Sequence, residues 1–297
     1  MRRGIAFVGL ALALVIGGIL AFTSPPRLLS TYDWAAGGGS GARQVAEGVA
    51  FGSHGQTLDI WAPADAPAGK LPVVIFWYGG GWAKGDRTAY AFAGRALAKE
   101  GFLVVIPDYR KVPQVHFPAF LDDGAEAAAW VQQTIADYHG DPARVAFMGH
   151  SAGGYQAVML ALDAKRLTAA GADPANIKAA VGLSGPYDFY PFDSPRSIAA
   201  FSQWPRPEET QPITYASKDA PPLLLVTSDG DTTVRARNAN NLAAKLRELG
   251  APVAVENYGA LDHEEVVMAL SKPFRSKGPV LADSVAFLRE HLAAKSE

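Results

Sequence analysis

Residues 144 to 155 read R-V-A-F-M-G-H-S-A-G-G-Y, a short apolar strand that stops at Gly149 and restarts as a helix just past Ser151. The frame Gly149-His150-Ser151-Ala152-Gly153 fits G-x-S-x-G, a sharp strand-to-helix turn that lifts a serine hydroxyl above the end of a parallel sheet. Such a turn leaves little freedom around it. The backbone at the serine is strained, and a side chain at Gly149 or Gly153 would collide with the strand and helix that cross there. The apolar strand before Ser151 and the helical run from Ala152 to Leu162 supply the context that the turn requires.

From Val49 onward, strand and helix patterns alternate. Thr57 to Trp61 alternates like a half-buried strand, and Leu71 to Trp77 is a continuous apolar run of the kind buried on both faces. A helix near Ala89 to Lys99, a strand at Phe102 to Ile106 and a helix from Ala119 to Tyr138 follow. In that last helix Leu121, Ala125, Ala128, Val131, Ile135 and Tyr138 recur three or four apart, before a stop at Gly140. Beyond the turn at Ser151 come strands at Ala179 to Leu183, Leu223 to Thr227 and Val253 to Tyr258, with helices at Arg235 to Leu249 and Leu281 to Leu292. The pattern predicts an α/β fold, a mostly parallel central sheet with helices on both faces. Residues 185 to 222, rich in proline and aromatics, form a small lid-like insertion in this reading.

The N-terminus reads differently. Arg2 and Arg3 precede residues 4 to 22, which carry no charge, a run that at about 1.5 Å per residue nearly crosses a hydrocarbon core of about 30 Å. Residues 1–23 are therefore expected to be a signal peptide or an N-terminal membrane anchor. Either exports the rest, membrane-anchored outside the cytoplasm if uncleaved and secreted or periplasmic if cleaved. Residues 24–47, with Pro25-Pro26 and Gly37-Gly38-Gly39-Ser40-Gly41, read as a flexible linker, leaving residues 48–297 as one catalytic-sized domain. A formal net charge of -2 without a basic cluster after the anchor argues against a nucleic-acid partner. The chain has no cysteine, so disulfides, thiolate metal sites and thiol nucleophiles are excluded. Its six histidines show no H-E-x-x-H pairing, and neither a metal nor a cofactor is expected.

A serine hydroxyl is a poor nucleophile until an imidazole takes its proton. His150 adjoins the serine and leaves the backbone in another direction, His139 sits at a helix end, and His291 lies in the last helix. His54 and His116 precede the serine, against the order serine, acid, histidine that accompanies this turn. His263, in the loop after the strand ending at Tyr258, is left as the base, the alternative being a helix cap before Glu264. The acid should follow the strand Leu223 to Thr227, where Asp229 and Asp231 both stand. Asp231 is favoured because it lies further past the strand end, whereas Asp229 suits a turn-holding role; Asp188 is the outside candidate. Upstream, Tyr78-Gly79-Gly80-Gly81-Trp82 follows the buried strand, and its uncovered N–H groups can point at an oxyanion together with that of Ala152.

Y-G-G-G-W-A-K-G-D-R, D-Y-R, F-P-A-F-L-D-D-G-A-E-A-A-A-W-V, G-H-S-A-G-G, G-P-Y-D, D-G-D-T-T-V and D-H-E together resemble the α/β-hydrolase superfamily. Within it the chain is similar to esterase/lipase-like carboxylesterases with an HGGGW loop, a group with feruloyl-esterase-like and kynurenine-formamidase-like members. The resemblance covers about residues 48 to 295. It implies an α/β-hydrolase fold with Ser151 as nucleophile, Asp231 as acid and His263 as base, and with Gly80, Gly81 and Ala152 lending oxyanion N–H groups. One departure stands out: Tyr78 occupies the position of the family's usual histidine.

Trp82 and Tyr187 are the expected substrate contacts, with Phe189, Tyr190 and Phe192 as further candidates for an apolar pocket or for the core of the lid. The expected activity is hydrolysis of small short-chain or aryl carboxylic esters through an acyl-enzyme on Ser151. The alternatives are an amide-type hydrolase and an inactive binding domain held at a membrane.

Overall fold

A computed structural model describes residues 24–66 and 69–294. The expected signal or anchor at residues 1–23 lies outside the described residues, and among these no helix is long and apolar enough to cross a membrane.

The described residues open with helix α1 (Pro25–Asp33) and a π-helical turn, then strands β1 (Ala42–Phe51), β2 (Gln56–Pro63) and β3 (Leu71–Trp77). Helix α2 (Ala91–Ala98), β4 (Leu103–Pro107), α3 (Ala119–Thr134) and β5 (Gly140–His150) lead to the serine. After it come α4 (Ala152–Leu162), α5 (Ala164–Ala169), β6 (Ile177–Leu183), α6 (Pro195–Phe201) and β7 (Leu223–Thr227). The last elements are α7 (Arg237–Glu248), β8 (Val253–Asn257), α8 (His263–Met268) and α9 (Val280–Leu292).

Among the described residues eight strands form one sheet in the order β1-β2-β4-β3-β5-β6-β7-β8. β1, β2 and β4 pair antiparallel, and every pairing from β4 to β8 is parallel. Helices α2 and α9 pack together, as do α3 and α4, giving the two helical layers. β3 and β7 are buried almost throughout and β5 is buried from Phe147 back to Ala146 and on to its end at His150, with Val145 half-buried, which is why β3 and β7 are written as near-continuous apolar runs rather than alternating ones. The carboxyl ends of β5, β7 and β8 therefore lie along one edge of the sheet, two strands apart and then one.

The expectation of a flexible linker over residues 24–47 is corrected. Pro25 and Pro26 begin a helix, in the first turn where a missing N–H costs nothing. Asp33, at the end of α1, is 2% exposed and accepts from Nε and Nη2 of Arg95 at 2.9 and 2.8 Å on Oδ2, and from the Lys272 N–H at 2.9 Å on Oδ1. Ser30 donates to the Ala89 carbonyl and accepts from the Phe92 N–H. The glycines turn the chain from α1 into β1, Gly37 at φ +81°. Irregularities at Gln44/Ala46 and Ala46/Val49 break the alternation by which β1 would have been read as a strand.

Residues 185 to 222 cover the carboxyl edge between β6 and β7. They hold α6 and two short 3-10 turns, Pro207–Thr210 and Pro212–Tyr215. Phe201 on α6 is fully buried, its ring edge-on to Trp82 at 4.7 Å and to Phe189 at 5.2 Å, so the lid is attached by an aromatic cluster.

Candidate active site

Ser151 occupies the turn between β5 and α4 with φ 56° and ψ -120°, a conformation L-residues rarely adopt. The glycines around it are obligatory by contact. A Cβ on Gly153 would lie 2.0 Å from the Trp77 carbonyl oxygen, and one on Gly149 would lie 2.2 Å from the Gly153 carbonyl oxygen. Ser151 N–H donates to the Leu183 carbonyl at 2.9 Å, tying the turn to β6.

His263 begins α8, whose cap is Asp262 in a reciprocal pair with Glu265, so the histidine is not the cap. Its Nε2 lies 2.8 Å from Ser151 Oγ and its Nδ1 lies 2.8 Å from Asp231 Oδ2. Since a carboxylate only accepts, Nδ1 carries the proton and Nε2 is free to accept from the hydroxyl. Asp231 Oδ1 accepts from the N–H groups of Thr233 and Val234 at 2.9 and 2.8 Å, which fixes the carboxylate. Burial works to raise the Asp231 carboxyl, but the hydrogen bond and charge of His263 and the Val234 N–H outweigh it and hold it below its ordinary value. The other acids stand elsewhere: Asp229 is exposed with its N–H on Asn257 Oδ1, and Asp188 accepts from Asn241.

His150 is a neighbour that sequence reasoning set aside. Its Nε2 donates to the His263 main-chain carbonyl at 2.9 Å, and its ring lies 4.8 Å from that of His263. Nδ1 has no partner among the described residues. Burial, followed by the adjacent His263, pushes its pKa down to about 3, so this imidazole stays neutral.

The glycine loop after β3 lies against the same turn. A Cβ at Gly79 would meet His150 Nδ1 at 2.9 Å, and one at Gly80 would meet the Lys84 carbonyl oxygen at 2.2 Å. Gly80 and Gly81 have φ of 139° and 60°. The N–H groups of Gly80, Gly81 and Ala152 donate to no acceptor among the described residues. Tyr78 anchors the loop: its hydroxyl donates to Asp108 Oδ1 at 2.8 Å, its ring stacks on Tyr109 at 4.7 Å, and Arg87 joins Asp108 to Asp59 behind it. A tyrosine in this position thus holds the loop entrance by its ring and its hydroxyl together.

A cleft of about 660 Å³ opens over Ser151, with Gly81, Trp82, Phe189 and Val234 among its lining residues. Trp82 is on its wall. Tyr187, expected as a substrate contact, is not: it is fully buried, and its hydroxyl fills the space that a Cβ on Gly182 would occupy, 1.9 Å away. Its N–H donates to Asn238, so it belongs to the core beneath the lid. Arg196, Arg235 and Arg237 also line the cleft, and no motif announced them. Among the described residues one trio, His54, Asp123 and Glu126, brings potential ligand atoms within 4.8 Å of one another. Arg110 already grips both Asp123 oxygens and Ser53 holds both of Glu126.

The BD-FAE family model matches residues 58–246, the span from β2 through the glycine loop, the serine turn and Asp231 into α7. The chain belongs to the BD-FAE family. Its curated relatives include a "Probable carboxylic ester hydrolase LipM" of Mycobacterium tuberculosis, 30% identical over 78% of this chain and 57% of that one. Esterase LipQ of the same organism is 31% identical over 79% of this chain and 59% of its own length. The chain thus spans about six tenths of these relatives. Among solved structures, a thermostable esterase from Pseudomonas putida superposes with a TM-score of 0.72 at 22% identity, covering 95% of this chain and 97% of that one. A truncated carbohydrate esterase from gut microbiota gives 0.72 at 20% identity, over 86% and 97%. These superpositions establish the α/β-hydrolase fold for this BD-FAE member.

Proposed function

We propose that this BD-FAE protein is a serine hydrolase of carboxylic esters, with Ser151, His263 and Asp231 as its catalytic triad. The observation that carries this reading is the pair of 2.8 Å hydrogen bonds running from Ser151 Oγ through His263 to Asp231, on three different strand ends. Esterase names among the relatives support the same reaction class.

In the forward half, Ser151 Oγ attacks the ester carbonyl while its proton moves to His263 Nε2. Asp231 keeps the imidazole in the tautomer that accepts this proton and stabilises the imidazolium that results. The carbonyl electrons move onto oxygen, where the N–H groups of Gly80, Gly81 and Ala152 receive them; one such donor contributes about two to three orders of magnitude in rate. Collapse expels the alcohol, which takes its proton from His263. Water then repeats the sequence on the acyl-serine, and the acid leaves. Export through residues 1–23 is part of this reading and rests on the uncharged run of residues 4 to 22.

The test is hydrolysis of para-nitrophenyl esters of increasing acyl length by the full chain and by Ser151→Ala. Turnover present in the first and absent in the second is expected. Turnover in neither, from folded protein, would refute the esterase reading in favour of a binding domain.

A further inference from the structure

The cleft over Ser151 carries a charge that the chain as a whole does not. The formal net charge is -2, yet Arg196, Arg235 and Arg237 line the cleft against one carboxylate, Asp193. None of these four side chains forms an ion pair among the described residues. Arginines with structural duties look different here. Arg87, Arg95, Arg110 and Arg166 are each held by aspartates, and those aspartates fix where the guanidinium lies.

The cleft arginines come from two separate segments whose backbones are pinned. Arg196 is in the first turn of α6, which Ser194 and Ser197 fix by a reciprocal cap. Its stem runs over Gly81, where a Cβ would meet Arg196 Cδ at 2.5 Å, so it leaves the lid directly beside the oxyanion loop. Arg235 and Arg237 follow the turn that Asp231 holds through Thr233 and Val234, and they lead into α7. The arginines therefore reach the mouth of the cleft from the lid and from the acid loop, while Trp82 and Phe189 give it an apolar wall.

We infer that the preferred substrates are esters carrying an anionic group, a carboxylate or phosphate on the acyl or the alcohol half, gripped by Arg196 with Arg235 and Arg237 while the carbonyl rests on Ser151. This rests on the serine-esterase reading and specifies its substrate class. A guanidinium fork matches a carboxylate or phosphate in two parallel hydrogen bonds, and a cleft of one sign concentrates substrates of the other. The chemistry is unaltered: water adds across the ester, the acyl–oxygen bond breaks, and one of the two products keeps the second charge.

The test uses the full chain and two matched pairs of esters, with the enzyme-free rate subtracted. For the alcohol half these are para-acetoxybenzoate against para-acetoxybenzamide; for the acyl half, mono-para-nitrophenyl adipate against para-nitrophenyl hexanoate. At an ionic strength of about 0.01 M the anionic member of at least one pair is expected to exceed its partner in kcat/KM by about tenfold, the equivalent of about 1.4 kcal/mol. Raising the salt to about 1 M, which shortens the screening length from about 30 to about 3 Å, should erase most of that ratio. Substituting Arg196→Gln, Arg235→Gln and Arg237→Gln together should bring the ratio towards one. Arg247→Gln, near the far end of α7, should leave it as it was. Ser151-dependent turnover of the neutral esters without any advantage for either anionic one, or a ratio indifferent to the three substitutions, overturns the inference and leaves the esterase reading standing. Turnover of no ester by folded protein refutes both.

Discussion

Replacing His150 with phenylalanine should make the fold less sensitive to mild acid, by an amount the structure allows to be worked out. The imidazole donates from Nε2 to the His263 carbonyl and has no partner at Nδ1, so a second proton would sit buried and unpaired. Its folded pKa is about 3, against about 6.5 in an unfolded chain. Between those values the unfolded chain binds a proton that the native state refuses, so this residue makes stability rise with pH and fall as pH drops below about 6.5. At about 1.36 kcal/mol per pKa unit, the wild type should lose about 2 kcal/mol from His150 alone between pH of about 7.5 and about 5. His150→Phe lacks that loss while keeping a ring beside His263. It will be less stable at the higher pH, having no donor for the His263 carbonyl, so the comparison concerns the change with pH and not the absolute stability. Urea unfolding of both proteins at the two pH values measures it. Equal pH dependence in both proteins would refute the account of a buried neutral imidazole.

Two further substitutions test other parts of the structure. Asp33→Ala leaves the Arg95 guanidinium buried without its carboxylate and the Lys272 N–H without its acceptor. It should cost about 3–5 kcal/mol in urea unfolding, whereas a loose tether would give no change. Asp231→Asn keeps the shape of the acid but removes the charge that fixes the His263 tautomer, and should lower kcat on a para-nitrophenyl ester by about three to four orders of magnitude. Retention of the Ser151–His263 contact without such a loss would dissociate Asp231 from the chemistry.

What could be read in the sequence follows from how each segment is buried. β3, α4 and β7 have the expected limits because strands covered on both faces and a helix sunk in the core are written as mostly apolar runs, α4 stopping at Asp163 and β7 starting after Pro222. Ser151, His263 and Asp231 could be found because each follows one of those strands or its neighbour, and chain order narrowed the choice. The first strand and helix were hidden by their own composition. α1 is tied down by Ser30 and Asp33, two residues that suit a linker equally well, and β1 is an edge strand with a broken alternation. Tyr187 was misread for a related reason: the slot that takes its ring exists only because Gly182 and Gly185 have no side chains, a contact between positions that no local pattern reveals. The arginines of the cleft come from α6 and from the turn before α7, and only the packing of the lid brings them to one opening.

The central claim is that Ser151 is an activated nucleophile, and covalent labelling tests it most directly. An aryl fluorophosphonate incubated with the full chain should add a single adduct by intact mass, mapped by peptide sequencing to Ser151. The adduct should be absent from Ser151→Ala and slowed by orders of magnitude in His263→Ala. A folded protein that takes no label, or one that is labelled as fast without His263, would contradict the account.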